Sequence, residues 1–373
     1  MLHNWNYKKI GEVCVVERGG SPRPIDDYIT EDPSGINWIK IGDTDDSMFI
    51  TKTAQKIRPE GMKKSRLVEP GDFLLSNSMS FGRPYILKIT GCIHDGWLVL
   101  RDTEDRFDKR FLYYYLSAKP TYQKLKSMAV GGVVNNLNSE MVRKVTVPIP
   151  DKDEQTTIAD LFDKVNVVIN NRKQELAKLD ELIKARFVEM FGDPEINSLG
   201  WPEAKIGDNC FVTKLAGFEY TNYIHYEDHG DVVMVKAQNV KNGTLNEKDL
   251  SYISKDVSDS LPRSQLAPGD IVMTYVGANI GDVAIIDDKH LYHLAPNVAK
   301  LRPDGNVYNP LFFMYLLMMK TDYIMRNSAD TAKAALGMER IRKLYVFMPD
   351  LGLQEDFAAF VTQVDKSKSL TAL

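Results

Sequence analysis

The chain has 373 residues, of which 43% are hydrophobic, 26% are charged and 10% are aromatic, and its formal net charge is −4. This length is more than one compact core usually needs, so it favours two domains, and the composition excludes a disordered or fibrous protein. The net charge argues against a surface coated with basic residues, although it still permits a site that reads DNA bases with a few side chains.

Nothing in the sequence predicts a membrane protein or a secreted one. The longest uncharged apolar run, Leu311 to Met319, is half of the roughly 20 residues that a membrane helix needs. Residues Met1 to Glu12 lack the basic and then apolar pattern of a secretory signal, and the three cysteines, Cys14, Cys92 and Cys210, are far apart. We therefore expect a cytoplasmic protein without a membrane partner.

Residues 1–150 predict short strands separated by turns. Segments rich in Val, Ile, Phe and Tyr alternate there with Gly, Pro and Asp. The predicted elements are strands at Ile36 to Ile41, Asp72 to Ser76, Tyr85 to Thr90 and Trp97 to Leu100, a helix near Arg110 to Ser127, a loop at Gly131 to Asn138 and a strand at Lys144 to Ile149.

A long helix is predicted after Pro150. Acidic residues follow this proline, and Gly192 stands where the pattern stops, which are typical start and stop signals. Its roughly 40 residues would span about 60 Å, which predicts a spacer rather than part of one domain core. Apolar residues at spacings of three and four form a coiled-coil stripe, made of Ile158, Leu161, Val165, Val168, Leu176, Leu179, Ile183 and Phe187.

The chain repeats itself at an offset of about 196 to 201 residues. Order and spacing hold across a whole unit, so we predict two copies of one fold. The second long helix begins like the first, with apolar residues from Leu353 to Val364, and is shorter because the chain stops at Leu373. Matching segments include Lys9-Ile10-Gly11-Glu12 with Lys205-Ile206-Gly207-Asp208, Pro70-Gly71-Asp72 with Pro268-Gly269-Asp270, Lys40 with Lys236, and Gln155 with Gln354.

Catalytic motifs are absent from the sequence. It contains no Gly-x-x-x-x-Gly-Lys loop, no Gly-x-Gly-x-x-Gly loop, no Gly-x-Ser-x-Gly elbow and no His-Glu-x-x-His pair. The histidine pairs His225/His229 and His290/His293 lie in polar segments without cysteine partners, so no metal site is predicted.

The ordered motifs resemble those of the specificity (S) subunit of type I restriction-modification enzymes, the HsdS family. They are Trp38-Ile39-Lys40-Ile41-Gly42-Asp43, the repeated Pro-Gly-Asp turn, Leu137-Asn138-Ser139, Val147-Pro148-Ile149-Pro150, Glu154-Gln155 and the link Phe191-Gly192-Asp193-Pro194. This resemblance covers essentially the whole chain. It implies an α+β fold with two tandem, pseudo-two-fold related, mostly-β target-recognition domains, joined by long α-helices in an antiparallel coiled coil whose second helix is short.

The resemblance also implies the domain boundaries, the partner subunits and their cofactors. Residues 1–150 would form target-recognition domain 1, 151–196 the central long helix, 197–349 target-recognition domain 2 and 350–373 the truncated second helix. Each domain would read one half of a bipartite site in double-stranded DNA. Two DNA adenine methyltransferase (M) subunits and motor/nuclease (R) subunits would be the partners. They would hold the S-adenosylmethionine, ATP and Mg, while this chain would hold no cofactor or metal and catalyse nothing.

Polar, glycine-punctuated loops flanked by predicted strands supply the candidate DNA contacts. Arg and Lys suit guanine, Asn and Gln suit adenine, and Lys, Arg and Ser suit phosphate. The candidates are Ser21, Arg23, Lys40, Ser76, Asn77, Ser78, Arg83, Asn135 and Asn136 in the first unit, and Lys214, Tyr220, Lys236, Gln238, Asn239, Tyr275, Asn279 and Lys333 in the second.

The helical stripes supply candidate partner-binding residues, namely Val165, Val168, Leu176, Leu179, Ile183, Phe187, Phe360 and Val364. Because the second helix is short, we expect the stripe from Leu176 to Phe187 to be exposed and covered by an M subunit or a second copy of the chain. Two other functions stay open at this point. One is a coiled-coil interaction scaffold that does not bind DNA, and the other is a stand-alone DNA-processing enzyme.

Overall fold

The structure, a computed structural model, describes residues 5–78, 81–130, 136–241, 243–327 and 335–372. Contacts divide the chain into two compact units, which we call unit 1, Met1–Asn170, and unit 2, Asn171–Leu373. Each unit combines small β-sheets with helices. The predicted α+β fold in two tandem units is therefore confirmed, whereas the predicted boundaries at residues 150, 196 and 349 stay predictions.

Unit 1 contains two five-stranded sheets, ordered β3-β6-β4-β10-β7 and β2-β11-β8-β9-β5, and the antiparallel pair β1-β12. Its strands are β1 Asn6–Lys9, β2 Val15–Arg18, β3 Ile29–Thr30, β4 Ile36–Ile39, β5 Phe49–Ile50, β6 Gln55–Ile57, β7 Arg66–Val68, β8 Phe73–Ser76, β9 Pro84–Leu87, β10 Gly91–Ile93, β11 Trp97–Arg101 and β12 Thr146–Ile149.

The central strands of the second sheet, β8, β9 and β11, are buried on both faces. Phe73 and Leu75 of β8 point into one hydrophobic cluster, and Leu74 between them belongs to another. Successive side chains of a strand point to opposite faces, so a strand between two cores is apolar at every position. This explains why β8 and β11 have continuous apolar runs rather than alternating ones.

Six α-helices begin within the described residues of unit 1. They are α1 Ile10–Val13, α2 Pro59–Met62, α3 Lys109–Ser117, α4 Lys119–Val130, α5 Ser139–Arg143 and α6 Lys152–Phe191. The predicted long helix is confirmed by α6, which ends in unit 2 just before Gly192, a residue with φ of 79°. The single helix predicted near Arg110 to Ser127 is two helices, because Pro120 lacks an N–H and is accommodated in the first turn of a new helix.

Unit 2 repeats this plan with two four-stranded sheets, β14-β23-β20-β21 and β18-β15-β22-β19, and the pairs β13-β24 and β16-β17. Its strands are β13 Glu203–Lys205, β14 Cys210–Lys214, β15 Val232–Val235, β16 Val240–Lys241, β17 Thr244–Leu245, β18 Tyr252–Ile253, β19 Gln265–Leu266, β20 Ile271–Thr274, β21 Val283–Ile285, β22 Leu291–Leu294, β23 Val298–Pro303 and β24 Tyr345–Phe347. Its further helices are α7 Ile206–Asn209, α8 Gly217–Tyr223, α9 Lys255–Ser260, α10 Pro310–Met319, α11 Thr321–Arg326, α12 Met338–Lys343 and α13 Leu351–Ala372. None of the described helices is long and apolar enough to cross a membrane.

The end of α6 and the start of α13 share one hydrophobic cluster with α10. Phe187 lies at its centre, with its ring 5.7 Å from that of Phe312 and 5.4 Å from that of Phe357. Ile183 and Phe187 are fully buried, and Val364 is 6% exposed. The expectation of an exposed stripe from Leu176 to Phe187 is therefore wrong for Ile183 and Phe187, which are buried in the cluster shared with α13, whereas Leu176 and Leu179 are half-buried.

A buried glutamine fixes the start of each long helix in the same way. Gln155 donates through Nε2 to the carbonyls of Arg106 and Pro150, and its Oε1 accepts the N–H of Asp108, each at 2.9 Å. Gln354 makes the three equivalent bonds in unit 2, with Val307, Pro349 and Asn309. The repeated Glu-Gln or Leu-Gln dipeptide therefore has a structural cause.

We expect Gln354→Leu to lower the free energy of unfolding of unit 2. Leucine has a similar volume but leaves three backbone groups without partners, and each buried unpaired group costs about 1–3 kcal/mol. Urea unfolding of the variant measures the loss. Gln363→Leu, at an exposed position of the same helix, is the matched control and should change the midpoint little. Equal midpoints for the two variants would show that these bonds contribute nothing.

Candidate nucleic-acid interface

A repeated lysine starts a short 3-10 turn in each unit. In unit 1, Lys40 precedes the turn Ile41–Asp43, and its ammonium donates to Oε1 of Gln55 at 2.6 Å. In unit 2, Lys236 precedes the turn Ala237–Asn239, and its ammonium donates to Oγ of Ser251 at 2.9 Å. Both lysines are thus held at the same place in the fold, although their partners differ.

Three predicted residues of unit 1 meet at one cavity of about 540 Å³, which we call the unit 1 cavity. The cavity is lined by residues from the loop 21–26, from β4 and the lysine that follows it, from β6, and by the residue after β10. The predicted residues among its lining are Ser21, Arg23 and Lys40, and the others are Pro22, Pro24, Ile25, Asp26, Ile29, Trp38, Gln55 and His94.

Asp95 holds the loop that carries Arg23. Its Oδ1 accepts the hydroxyl of Ser21 at 2.7 Å, and its Oδ2 lies 3.5 Å from the guanidinium of Arg23. The bond from Ser21 keeps the pKa of the Asp95 carboxyl below its ordinary value. Arg23 is 79% exposed, so its guanidinium is both restrained and accessible to a ligand.

Arg83 is held separately, at the end of the β8–β9 connection. Its guanidinium lies 3.0 Å from the Asp46 carboxylate and over the ring of Tyr85, 5.6 Å from the ring centre. Two carboxylates therefore restrain the two predicted base-reading arginines of unit 1, in two different places.

Three predicted residues have structural roles instead, which corrects the expectation that they contact DNA. Ser76, Asn77 and Asn239 are at most 2% exposed. The hydroxyl of Ser76 accepts the N–H of Arg83, and Asn77 donates to the carbonyl of Asp95. Asn239 closes its own turn by accepting the N–H of Lys236 and donating to two further carbonyls. Short polar side chains near turns often bind backbone groups in this way.

Ser78 and Asn136 are half-buried in unit 1. The Oδ1 atom of Asn136 is buried and has no hydrogen-bond partner among the described residues. Asn135 and Lys333, which were also predicted to contact DNA, lie outside the described residues.

Apart from the buried Asn239, the predicted residues of unit 2 that the structure describes are accessible or half-buried. The ammonium of Lys214 lies over the ring of Tyr275, 5.3 Å from its centre. Tyr220 is 37% exposed and contacts the ring of Tyr226. Gln238 and Asn279 are exposed, and Lys236 is half-buried.

Sequence reasoning missed His94 and Gln55, which complete the unit 1 cavity. Nδ1 of His94 accepts the N–H of Gly96 at 2.8 Å, so the proton of the neutral ring is on Nε2. Burial lowers the pKa of this imidazole, which is therefore neutral at pH 7. The available signal was the polar pair His94-Asp95 directly after an apolar strand.

Sequence reasoning also missed a basic cavity in unit 2. Arg326 of α11 and Arg340 and Lys343 of α12 line a space of about 400 Å³. Arg326 pairs with Glu195, whereas the side chain of Lys343 is exposed and accessible to an anion. Such clustered cations suit phosphate oxygens. Within the described ranges, no group of three or more His, Cys, Asp or Glu side chains could hold a metal ion.

The predicted partner-binding residues fall into two classes. Val165 and Val168, in the first half of α6, are 45% and 57% exposed. Leu161, Phe162 and Ile169 are also exposed on the same side of the helix, and we call these five residues the apolar face of α6. Leu176, Leu179 and Phe360 are half-buried, and Ile183, Phe187 and Val364 are buried in the core of unit 2.

Comparison with known families adds a direct match. The model of the family described as the type I restriction modification DNA specificity domain matches the chain twice, at residues 3–181 and 199–372. The EcoBI specificity subunit of a type I restriction enzyme of Escherichia coli is 22% identical over 292 residues, which cover 70% of this chain and 60% of that subunit. The MjaIX specificity subunit of Methanocaldococcus jannaschii is 25% identical over 197 residues, or 52% and 45% of the two chains. The chain thus spans less than two thirds of the length of either relative.

Solved structures show the same fold. A chain from a study of complex assembly and conformational transition of the type I R-M system superposes with a TM-score of 0.58 and 16% identity, covering 99% of this chain and 93% of that one. The S subunit of the type I restriction-modification system of M. genitalium superposes with a TM-score of 0.55 and 14% identity, covering 100% and 93%. At these identities the likeness concerns the fold.

Proposed function

Because the chain belongs to the family of type I restriction-modification DNA specificity domains, whose members supply specificity rather than catalysis, we propose that it directs a type I complex to its DNA target. Units 1 and 2 each read one half of a bipartite sequence in double-stranded DNA. Two M subunits then methylate adenine with S-adenosylmethionine, and R subunits use ATP and Mg to restrict unmodified DNA.

One observation carries this proposal: the two units share a structural frame but present different polar groups on it. Gln155 and Gln354 make the same three hydrogen bonds, and Lys40 and Lys236 start the same turn. The accessible groups differ, however, since unit 1 presents Arg23 in the same cavity as Lys40, while unit 2 presents Lys214 over Tyr275. A repeated frame with different accessible donors suits two readers of two different half-sites.

The proposed DNA contacts are those predicted residues that the fold leaves accessible. In unit 1 they are Ser21, Arg23, Lys40, Ser78, Arg83 and Asn136, and in unit 2 they are Lys214, Tyr220, Lys236, Gln238, Tyr275 and Asn279. Asn135 and Lys333 stay in the proposal on their sequence context alone. The basic cavity at Arg340 and Lys343 is proposed to hold DNA phosphates, which give affinity without selectivity.

Co-expression tests this function directly. The chain is produced in a host lacking adenine methylation, with and without an M subunit encoded beside it, and methylated adenines are mapped across the host DNA. We expect a bipartite motif with a fixed gap, present only when both proteins are made. Methylation without a motif, or a motif that does not depend on this chain, would contradict the proposal and favour a scaffold or an enzyme.

The apolar face of α6 is proposed as part of the docking surface for the M subunits. Five accessible apolar residues within nine positions, all on one side of the helix, form an unusually apolar patch. In unit 2, the residues Ile183 and Phe187 of the same helix are covered by α13 and α10, which shows that this helix carries apolar residues where another helix packs.

We expect Val168→Asp to weaken co-purification with the M subunit by about tenfold or more, because a carboxylate would be buried without a partner. Stability of the free chain should stay within about 0.5 kcal/mol, since Val168 is 57% exposed. Asn170→Asp is the matched control, because it adds the same charge on roughly the opposite side of the helix. If both variants co-purify like the parent, the docking surface lies elsewhere.

A further inference from the structure

The unit 1 cavity is chemically biased towards hydrogen-bond donors. The Arg23 guanidinium and the Lys40 ammonium have only donors, and His94 carries its ring proton on Nε2 because Nδ1 already accepts a backbone N–H. The Oε1 acceptor of Gln55 is occupied by Lys40. Among the lining residues, the exposed Asp26 is the one carboxylate. A ligand that fits this cavity therefore presents mainly acceptors.

The rest of the lining is apolar and well ordered by packing. Trp38 is 2% exposed and contacts His94 edge to face, with ring centres 6.2 Å apart. Ile25 and Ile29 lie on the same wall. A concave site with an apolar wall and a few fixed donors suits the edge of a nucleobase better than a phosphate, which favours exposed and mobile cations.

Unit 2 lacks these groups at the corresponding positions. Strands β4 and β10 pair in parallel with Trp38 opposite Cys92, and β15 and β22 pair in parallel with Met234 opposite His293. Trp38 therefore corresponds to Met234, and His94, the residue after β10, corresponds to Ala295 after β22. Neither Met234 nor Ala295 can donate a side-chain hydrogen bond, whereas the lysine is kept in both units.

From these observations we infer that the unit 1 cavity reads a guanine at one position of the first half-site. Arg23 and His94 donate to its N7 and O6 atoms, which are the acceptors that guanine presents in the major groove. Asp95 is a positioning residue, since it restrains Arg23 through an ion pair and the loop through Ser21. The inference rests on the proposed function and assigns the base that one part of the site recognises.

The test uses the full chain with its M subunit and maps methylated adenines for His94→Asp. Aspartate can accept the Gly96 N–H in the same i to i+2 arrangement, so the turn is kept. At the same time it replaces a donor by an acceptor, which repels guanine and suits the amino group of cytosine. We expect one G·C position of the half-site read by unit 1 to lose its preference by about tenfold or more, with the other half-site unchanged.

Two further variants keep the result interpretable. Because the Arg23 side chain is exposed, Arg23→Ala should leave the stability of the chain nearly unchanged. It should reduce the preference for guanine at the same position. His290→Asp makes the same chemical change at an exposed position of unit 2 and should alter no position. Replacing the assigned guanine by 7-deazaguanine in a duplex should weaken binding of the parent complex and weaken binding of the Arg23→Ala complex less.

Other outcomes would overturn the inference. If His94→Asp and Arg23→Ala reduce binding to the target and to a random duplex by the same factor, the cavity holds a phosphate. Relaxation at an A·T position, in the second half-site or at no position would also contradict guanine reading. These results differ from failure of the proposed function, in which the parent chain with its M subunit would produce no bipartite motif at all.

Discussion

Exchanging residues 1–150 for the corresponding segment of another specificity subunit is expected to change one half of the methylated sequence and to leave the other half and the gap unchanged. Every residue that lines the unit 1 cavity, and Arg83 with its carboxylate partner, lies within this segment. The segment also contains both sheets of unit 1. All the groups proposed to read the first half-site are therefore exchanged at once, while the residues of α6 and unit 2 stay the same.

The junction decides whether such a chimera folds. Gln155 remains with the recipient and needs the N–H of Asp108 and the carbonyl of Arg106 from the donor segment, and Ala159 packs in the helix-side core of unit 1. The Asp108 side chain also caps α3 by accepting backbone N–H groups, as Asn309 does for α10, so the exchanged segment should come from a subunit with Asp or Asn at this position. Methylation mapping of the chimera with its M subunit is the measurement. The reciprocal exchange of residues 197–349 is the control and should change only the other half. A change in both halves, or in neither, would exclude modular reading.

Truncating Phe187 should cause the largest loss of stability among single substitutions of α6. Its ring is fully buried among those of Phe191, Phe312, Phe347 and Phe357. Replacing a buried phenylalanine by alanine removes these contacts and leaves a cavity, which costs about 3–5 kcal/mol. We therefore expect Phe187→Ala to lower the free energy of unfolding of unit 2 by that amount, as measured by urea unfolding.

The neighbouring residue provides the control. Val188 is on the same helix but is 42% exposed, so Val188→Ala should change the free energy of unfolding by less than about 0.5 kcal/mol. Hydrogen exchange of amides in α10 and α13 should rise in Phe187→Ala and not in Val188→Ala. If the two variants unfold at the same urea concentration, the packing of α6 against α13 does not stabilise unit 2.

The structural frame was predictable because it depends on local chemistry that occurs twice. Gly11 and Gly207 illustrate this, since a Cβ atom at either position would lie under 3.0 Å from the Cβ of Arg143 or Arg342. Arg143 donates to the carbonyl of Val16 in β2, and Arg342 donates to the carbonyl of Val212 in β14. Because both units make this close contact, both need a glycine and an arginine at the same positions. The sequence repeat shows these positions at the same spacing.

The candidate DNA contacts were less predictable, because polar residues in glycine-rich loops serve backbone groups as often as ligands. Ser76, Asn77 and Asn239 had the right composition and spacing, but each side chain is buried and makes at least one hydrogen bond inside its unit. Conversely, His94 and Gln55 reach the unit 1 cavity only through the parallel pairing of β4 with β10 and the antiparallel pairing of β4 with β6. Such pairings join distant segments, so sequence spacing does not show them.

The exposed stripe was predicted on the wrong half of α6 for a related reason. The spacing of apolar residues is the same along the helix, so the pattern alone could not show which part is covered. Tyr114 of α3 does stack on Phe162, but Val165 and Val168 remain about half exposed. Coverage depends on which other elements reach the helix, and this is a property of the tertiary fold.

The apolar face of α6 has a consequence for how the cell handles the protein. In a chain without a partner, this face is an exposed hydrophobic segment of the kind that chaperones and proteases recognise. It includes Leu161, Val165 and Val168. If the proposed docking is correct, a chain bound to a methyltransferase would hide this segment and an orphan chain would not. The number of target-reading molecules in a cell would then follow the number of methyltransferases that protect its own genome.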